Sequence, residues 1–571
     1  MFERQAQLTE PKSANRIIHS GTRLRRSGLT VYSSCVFAVP RQYLESSLST
    51  MPGPLIHDEV ISHTKPALIN YVAAIFAAIG SFLFGYDSGI ISSVISSSYT
   101  EFQAYMNYPS DNVTGAIVSV FAGGAFFGAL LAGRTADWIG RKRTIQLGSI
   151  IAIIGCTLQT AAINVAMLIV GRFVAGFSIG VLSMIVPMYQ AEISPPHARG
   201  LLSGMTQWMI SWGFFIANWI GYGCGYLKST AQFRLPLGIQ IVPAVLLLFG
   251  MFLLPYSPRW LAMKGRHEEG RATLIKLHGG RRNASISAVE AEYAEILTQI
   301  EWEKENLSSN YWDLIKNKPN LHRTVCGCLV QAMCQWTGVN VNNYFGPTIY
   351  SALGYTGHTT LMINALQSAW GLVVTFIFIS FVVDRWGRRQ PLILGALLLA
   401  GCMAMEAGTS SHFANSEYHN SSMGIAGVAA VFLFSWFFSF SFGPVSWIYQ
   451  SEIFPMNLRA LGTSVSTASN WLNNVIIAQI TPYGFSSLSW KYFFVYTATN
   501  LSNCVICYLL FPETKNKTLE EIGLLFGDTN VRTPPTHSID SAGIEQAAVT
   551  DIKPPGEPGQ HHIEYSGDKA V

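Results

Sequence analysis

Two pairs of polar motifs recur along this chain, and each copy follows a long apolar stretch. Tyr189-Gln190-Ala191-Glu192-Ile193-Ser194-Pro195, with Arg199, returns as Tyr449-Gln450-Ser451-Glu452-Ile453-Phe454-Pro455, with Arg459. Asp137-Trp138-Ile139-Gly140-Arg141-Lys142 returns as Asp384-Arg385-Trp386-Gly387-Arg388-Arg389. Duplicated halves with polar motifs at the ends of apolar runs are the signature of membrane proteins built from internal repeats around a central site.

Composition agrees. Hydrophobic residues make up 49% of the 571 positions and charged residues only 12%, about half the charge of an average soluble domain. Apolar runs of about 20 residues suffice to span a bilayer. Twelve spans are expected, near 67–95, 113–133, 144–163, 166–188, 202–225, 236–255, 324–350, 360–383, 391–410, 424–448, 461–483 and 490–511. This predicts an all-α membrane protein of two six-helix bundles, residues 66–255 and 324–511, joined by a helical linker, 256–323. Residues 1–65 and 512–571 read as disordered tails, polar and rich in Pro, Gly and charge. An Arg-rich start (Arg23, Arg25, Arg26) suggests a transit peptide, but Glu3, Glu10 and Glu45 interrupt it. The nine Cys show no disulfide framework, and no Cys/His cluster completes a metal site.

Basic residues set the orientation. Arg134, Arg141, Lys142 and Arg143 follow span two, Arg385, Arg388 and Arg389 follow span eight, and the linker is basic from Arg259 to Arg323. The opposite loops hold only Lys228, Arg234 and Lys491. Both termini and the linker are therefore expected in the cytoplasm, with sequons Asn112 and Asn420 outside as glycosylation sites.

Three sets of residues carry chemistry. Arg134, Glu192, Arg199, Arg388, Glu452 and Arg459 lie at the cytoplasmic ends and suit a gate of breakable ion pairs. Asp87 and Arg172 are charges inside spans one and four, about 10 Å below the outer surface. Such charges are costly, face cavities and pair, and a carboxylate beside a movable Arg is a proton switch. Amides and an indole interrupt other spans: Gln207, Gln331, Gln335, Asn340, Trp447, Asn470 and Asn474. Amides both donate and accept hydrogen bonds, which suits a neutral, hydroxyl-rich solute, and Trp447 follows a helix break expected at Gly443-Pro444. No nucleotide loop or nucleophile–base set points to an enzyme, and nothing points to nucleic acid.

Phe84-Gly85-Tyr86-Asp87, Gly133-Arg134 with Gly140-Arg141-Lys142, Gly171-Arg172, and Pro187-Met188-Tyr189 with Glu192 resemble the sugar porter family of the major facilitator superfamily. So do Ser257-Pro258-Arg259-Trp260-Leu261, Gln335 with Thr337-Gly338-Val339-Asn340, Gly443-Pro444 with Trp447, and Pro512-Glu513-Thr514-Lys515. The motifs run through residues 67–522 in the family's order, closest in flavour to fungal hexose and pentose transporters. The resemblance implies a sugar site between two bundles and alternating access. It places Gln207, Gln331, Gln335, Asn340, Trp447 and Asn474 on sugar contacts, and Asp87 with Arg172 on the proton-coupling pair of the family's symporters. Three positions depart from the pattern. Cys334 stands where a Gln is usual, Leu372 where an Asn is usual, and Ser446 where a second Pro is usual, so two amide contacts are missing from the expected pocket.

These readings converge on a plasma-membrane monosaccharide importer, its partners a sugar, protons and the bilayer, with no cofactor or metal. A facilitated uniporter and a transporter-like sugar sensor are the alternatives.

Overall fold

A computed structural model describes residues 68–194, 199–278, 286–306, 310–415, 421–455, 457–515, 517 and 519–528. The stretch 1–65, the sequon at Asn420 and the chain beyond Asp528 lie outside these residues. Among the described residues every regular element is helical.

Twelve spans cross in order. The first five are Leu68–Val94, Asp111–Ile139, Arg141–Thr160, Val165–Ile193 and Arg199–Cys224. Span six is broken at Gln240 into Ala231–Ile239 and Ile241–Leu253. Span seven is Lys318–Trp336 plus Val339–Ala352, followed by His358–Phe381 and Arg389–Asn415. Span ten is Ser421–Ser439 plus Phe442–Glu452, and Arg459–Leu488 and Phe493–Leu510 complete the set. Eight stretches are long and apolar enough to cross a membrane by length and composition alone, the last of them covering both final spans. The spans outside that set have visible reasons. Arg141–Thr160 opens on three cations. Arg199–Cys224 and span seven carry amides and hydroxyls to the protein's centre.

The tightest crossing in the first half is between spans two and four, and glycine makes it. Gly124 and Gly128 on one helix face Gly176 and Gly180 on the other. A Cβ on Gly180 would lie 2.0 Å from the Ala125 carbonyl oxygen, and one on Gly128 2.0 Å from that of Phe177. Small residues four apart let two backbones touch, which is how helices associate where no hydrophobic effect separates them from lipid. Arg172 lies one turn before Gly176, so this crossing fixes its position.

The breaks in spans seven and ten also have local causes. Gly338 adopts φ +94° between the two pieces of span seven, and a Cβ there would sit 2.6 Å from Met403 Cε. Ser441, at φ −132° and ψ −101°, interrupts span ten. The break falls just before the expected Gly443-Pro444, because proline is tolerated in a helix's first turn, where its missing N–H would be unpaired anyway.

The linker forms four short helices, Pro258–Met263, His267–His278, Ile286–Asn306 and Asp313–Lys316. Ala262, Leu274, Val289, Tyr293 and Ile300 give the first three a small core of their own. Part of the expected disordered C-terminal segment is ordered. Leu519–Phe526 is helical, with Ile522 and Phe526 buried, and Asp528 takes both Arg323 guanidinium nitrogens. Its apolar face finds a partner on span seven, which composition alone does not reveal.

Candidate functional site

The duplicated motifs occupy matching places in three dimensions. In the first half Arg141 donates to Glu192 at 2.9–3.0 Å and to Asp137 at 2.9 Å. In the second, Arg388 donates to Glu452 at 2.9 and 3.2 Å, and Thr514 adds a bond of 2.7 Å to the same carboxylate. Tyr189 donates to the Pro255 carbonyl as Tyr449 does to that of Pro512. Gly140 (φ +90°) lies against the Trp260 ring, and Gly387 (φ +84°) against the Glu513 carboxylate. Glu513 also accepts from the backbone N–H groups of Arg388 and Arg389, capping the start of span nine with negative charge where a helix favours it.

Arg134, grouped with Glu192 in the expected gate of ion pairs, does not reach it. It is exposed, its guanidinium 6.0 Å from the Tyr311 ring centre. Arg141 does that work instead, and the duplication points to it, since Arg141 aligns with Arg388. Arg459 is half-buried at the head of span eleven. Arg199 opens span five, but its side chain is outside the described set.

Asp87 and Arg172 meet. Arg172 Nη1 donates to Asp87 Oδ1 at 2.5 Å, its Nε donates to the Ile117 carbonyl at 3.2 Å, and the guanidinium lies 4.3 Å from the Phe121 ring centre. Both residues are buried. Tyr344 of span seven stands within electrostatic reach of the pair and accepts a hydrogen bond from Asn474 at 3.0 Å. The ion pair of one half thus has a polar neighbour in the other.

Between the halves lies a cavity of about 970 Å³, its open mouth included. Gln207, Cys334, Gln335, Asn340, Trp447 and Asn470 line it. Their amides are ordered into a chain. Asn340 donates to Gln335, Gln335 to Asn470 at 2.9 Å, Asn470 to Gln331 at 2.7 Å, and Gln331 to the Ser446 carbonyl at 3.4 Å. Gln335, Asn470 and Gln331 each accept at one end and donate at the other, which fixes their orientation, while Asn340 commits only its NH2 to the chain. Gln331 and Asn474 are buried behind the wall and are not among the lining residues, so they orient rather than touch. Leu372 is buried too, and its neighbour Gly371 lines the cavity with open space where a side chain would be.

The wall has members the sequence reading missed. Asn364 of span eight donates to Ser92 and Asn218 of the first half at 3.1 and 3.0 Å, bridging the halves at the end of the cavity away from Arg141. His358 stacks on Tyr226 above it, ring centres 4.1 Å apart. Ser211, Gln367 and Asn342 also face the cavity. A single amide in an apolar span was the available signal for Asn218 and Asn364, as it was for Gln207. Toward the Arg141 end of the spans, Ser464 donates to the Ala129 carbonyl at 2.7 Å and Tyr311 to that of Leu130 at 2.8 Å, joining the halves again.

Two six-helix halves around a central polar cavity, joined by different contacts at its two ends, are the architecture of a secondary transporter. The family model for sugar (and other) transporters matches residues 73–526, and the chain belongs to that family of the major facilitator superfamily, whose members are membrane transporters and not enzymes. It is 36% identical to the MFS-type transporter criB of Aspergillus cristatus over 80% of this chain and 92% of the relative. It is 34% identical to a high-affinity glucose transporter of Kluyveromyces lactis (80% and 85% covered) and 34% to the galactose-proton symporter of Escherichia coli K12 (80% and 94%). The fold matches the proton:xylose symporter XylE bound to 6-bromo-6-deoxy-D-glucose with a TM-score of 0.68, at 24% identity, covering 80% of this chain and 99% of that one.

Within the cavity, Trp447 presents the indole, held next to the span-ten break. Trp447→Ala is expected to weaken apparent sugar affinity by roughly 5- to 100-fold, the range for losing a stacking face worth ~1–3 kcal/mol. Titrated uptake at equal surface expression measures it; an unchanged KM would remove Trp447 from the contact surface.

Proposed function

We propose that this protein is a plasma-membrane importer of monosaccharides, hexose or pentose, that works by sugar:proton symport through alternating access. The single observation that carries the proton half is the buried Asp87–Arg172 pair, one turn along span one from Phe84, which lines the cavity. The sugar half rests on the amides in the lining, Gln207, Gln335, Asn340 and Asn470, a side-chain type that both donates and accepts, and on a cavity with no described Lys, Arg, Asp or Glu in its lining to fix an ionic solute. Arg141–Glu192 and Arg388–Glu452 serve as cytoplasmic latches that release when the site opens inward. Arg199 and Arg459, at the same ends, belong to this gate, and Arg134 contributes through Tyr311.

Relatives named for glucose transport and for galactose-proton symport support a sugar as substrate, while their variety leaves the particular sugar to the cavity. With Cys334 in place of an amide in the lining, the reading favours substrates with fewer hydroxyl contacts than glucose. Uptake of a labelled sugar panel in a transporter-null yeast, with and without an uncoupler, tests it. Accumulation that collapses with uncoupler supports symport; no uptake of any sugar overturns the reading.

In this orientation both termini and the linker are cytoplasmic. Asn112, exposed in the first turn of span two, then faces outside and is the described glycan acceptor, with Asn420 as a second. A mobility shift abolished by Asn112→Gln and Asn420→Gln together checks this, and a glycan at Asn283 reverses the topology.

A further inference from the structure

Span nine carries a second buried carboxylate that the coupling pair does not use. Glu406 lies nine residues before the outer end of that helix, Asn415, so about 14 Å below it. It is 2% exposed. Among the described residues no Lys or Arg pairs with it. Its side-chain partner among the described residues is Asn342 of span seven, whose Nδ2 donates to Oε1 at 3.3 Å. Two atoms of this pair, Glu406 Oε2 and Asn342 Oδ1, have no hydrogen-bond partner among the described residues. Asn342 also lines the cavity.

The duplication marks the same place in the first half. Gln159 stands 18 positions after Arg141, as Glu406 stands 18 after Arg388. Gln159 is buried beside Asp87. Each half therefore sets a carboxylate against an amide at this depth, with the carboxylate on the first helix of one half and the third helix of the other.

Few other groups can influence Glu406. Cys402 lies one turn earlier on its own helix, and Tyr350 approaches from span seven with its hydroxyl donated to Gln367 at 2.7 Å. The first piece of span ten has no titratable residue. Span twelve and the turn before it bring Tyr492 and Tyr496, bonded to each other at 2.7 Å, and Lys491, which lies over Trp490. A carboxylate at such depth without a cation is expensive as an ion.

We propose that Glu406 is a second protonation site of this transporter and that its proton decides which end of the Asn342 amide is offered to the substrate. When Glu406 is ionised, both its oxygens accept, so Asn342 turns its NH2 toward it and presents Oδ1 to the cavity. When Glu406 binds a proton from water, its O–H donates to Oδ1, and the amide presents NH2 instead. The first state takes a hydroxyl as donor, the second takes it as acceptor. Glu406 is thus a positioning residue, acting on sugar through Asn342. The inference rests on the sugar reading of the cavity for its substrate, but its protonation step does not.

Infrared difference spectra of the purified full-length protein across a pH step test that step without any sugar. In an Asp87→Asn background, a protonated-carboxyl band is expected, and it should vanish in Asp87→Asn/Glu406→Gln. Uptake KM of the unmutated protein should then change with external pH by about three- to tenfold, the worth of one hydrogen bond. In Glu406→Gln, which keeps shape and folding, KM should become flat with pH while the pH dependence of maximal rate, set by Asp87, persists. A band that survives Glu406→Gln, or no band, overturns the protonation site. A KM profile identical in Glu406→Gln and the parent overturns the switch. Failure of the unmutated protein to take up sugar overturns the sugar reading alone, and the infrared band still decides this one.

Discussion

Asp87→Asn should abolish uphill accumulation while leaving exchange down a gradient intact. One proton moving with the sugar across 100 mV brings about 2.3 kcal/mol, enough for roughly fiftyfold accumulation. The amide has the shape of the protonated acid and no charge to change, so the ratio inside to outside should fall to about one. With Asp87 present, Arg172 donates to it at 2.5 Å, a contact that favours the ionised carboxylate. On the proposed mechanism, closure over the sugar loosens that contact so that the proton can bind, and protonation removes a charge that would otherwise resist the swing. Uptake by the unmutated protein should acidify the cytosol and fall as external pH rises. Accumulation in Asp87→Asn equal to that of the parent, at matched surface expression, would exclude this residue from coupling. Equilibration without accumulation by the parent itself would make the protein a uniporter.

Gly180→Leu should eliminate folded protein. Its Cβ would be 2.0 Å from a backbone carbonyl oxygen. A side-chain neighbour can rotate away from such a clash, but a helix backbone cannot. Spans two and four would have to separate, taking Gly124, Gly128, Gly176 and the seat of Arg172 with them. The cost should exceed the ~1–3 kcal/mol typical of overpacking. Size-exclusion chromatography of solubilised protein reads it as loss of the monodisperse peak. Gly401→Leu is the control, since nothing lies within 4 Å of a Cβ there. Equal peaks for both variants would show that the two-four crossing tolerates side chains.

Much of this architecture is legible in the chain because its physical signals are long or repeated. Twenty apolar residues and a doubled motif leave little freedom, and the twelve spans fall within a few residues of expectation at most ends. Isolated residues are less legible. Arg134 and Arg141 have the same charge, and only the alignment of the halves tells which one reaches Glu192. Gln331 and Asn474 read as lining because an amide in a membrane span must bond to something. The structure bonds them to Asn470 and Tyr344 instead. Glu406 escaped notice for the opposite reason: one carboxylate among Met, Ala and Gly barely alters the apolarity of span nine. The helix at Leu519–Phe526 is hidden by the polar company it keeps.

The way each half is sealed bears on how the chain is made. Trp260, which covers Gly140, emerges just after span six, and Glu513, which caps span nine, emerges just after span twelve. Neither half borrows its seal from the other. The cover of Gly140 can therefore be in place while the second half is still being synthesised, although the core of the first half is completed only when Trp471 of span eleven packs into it. A chain that terminates before Pro512 would insert every span and yet leave the start of span nine with bare amides, a defect of the last few seconds of translation.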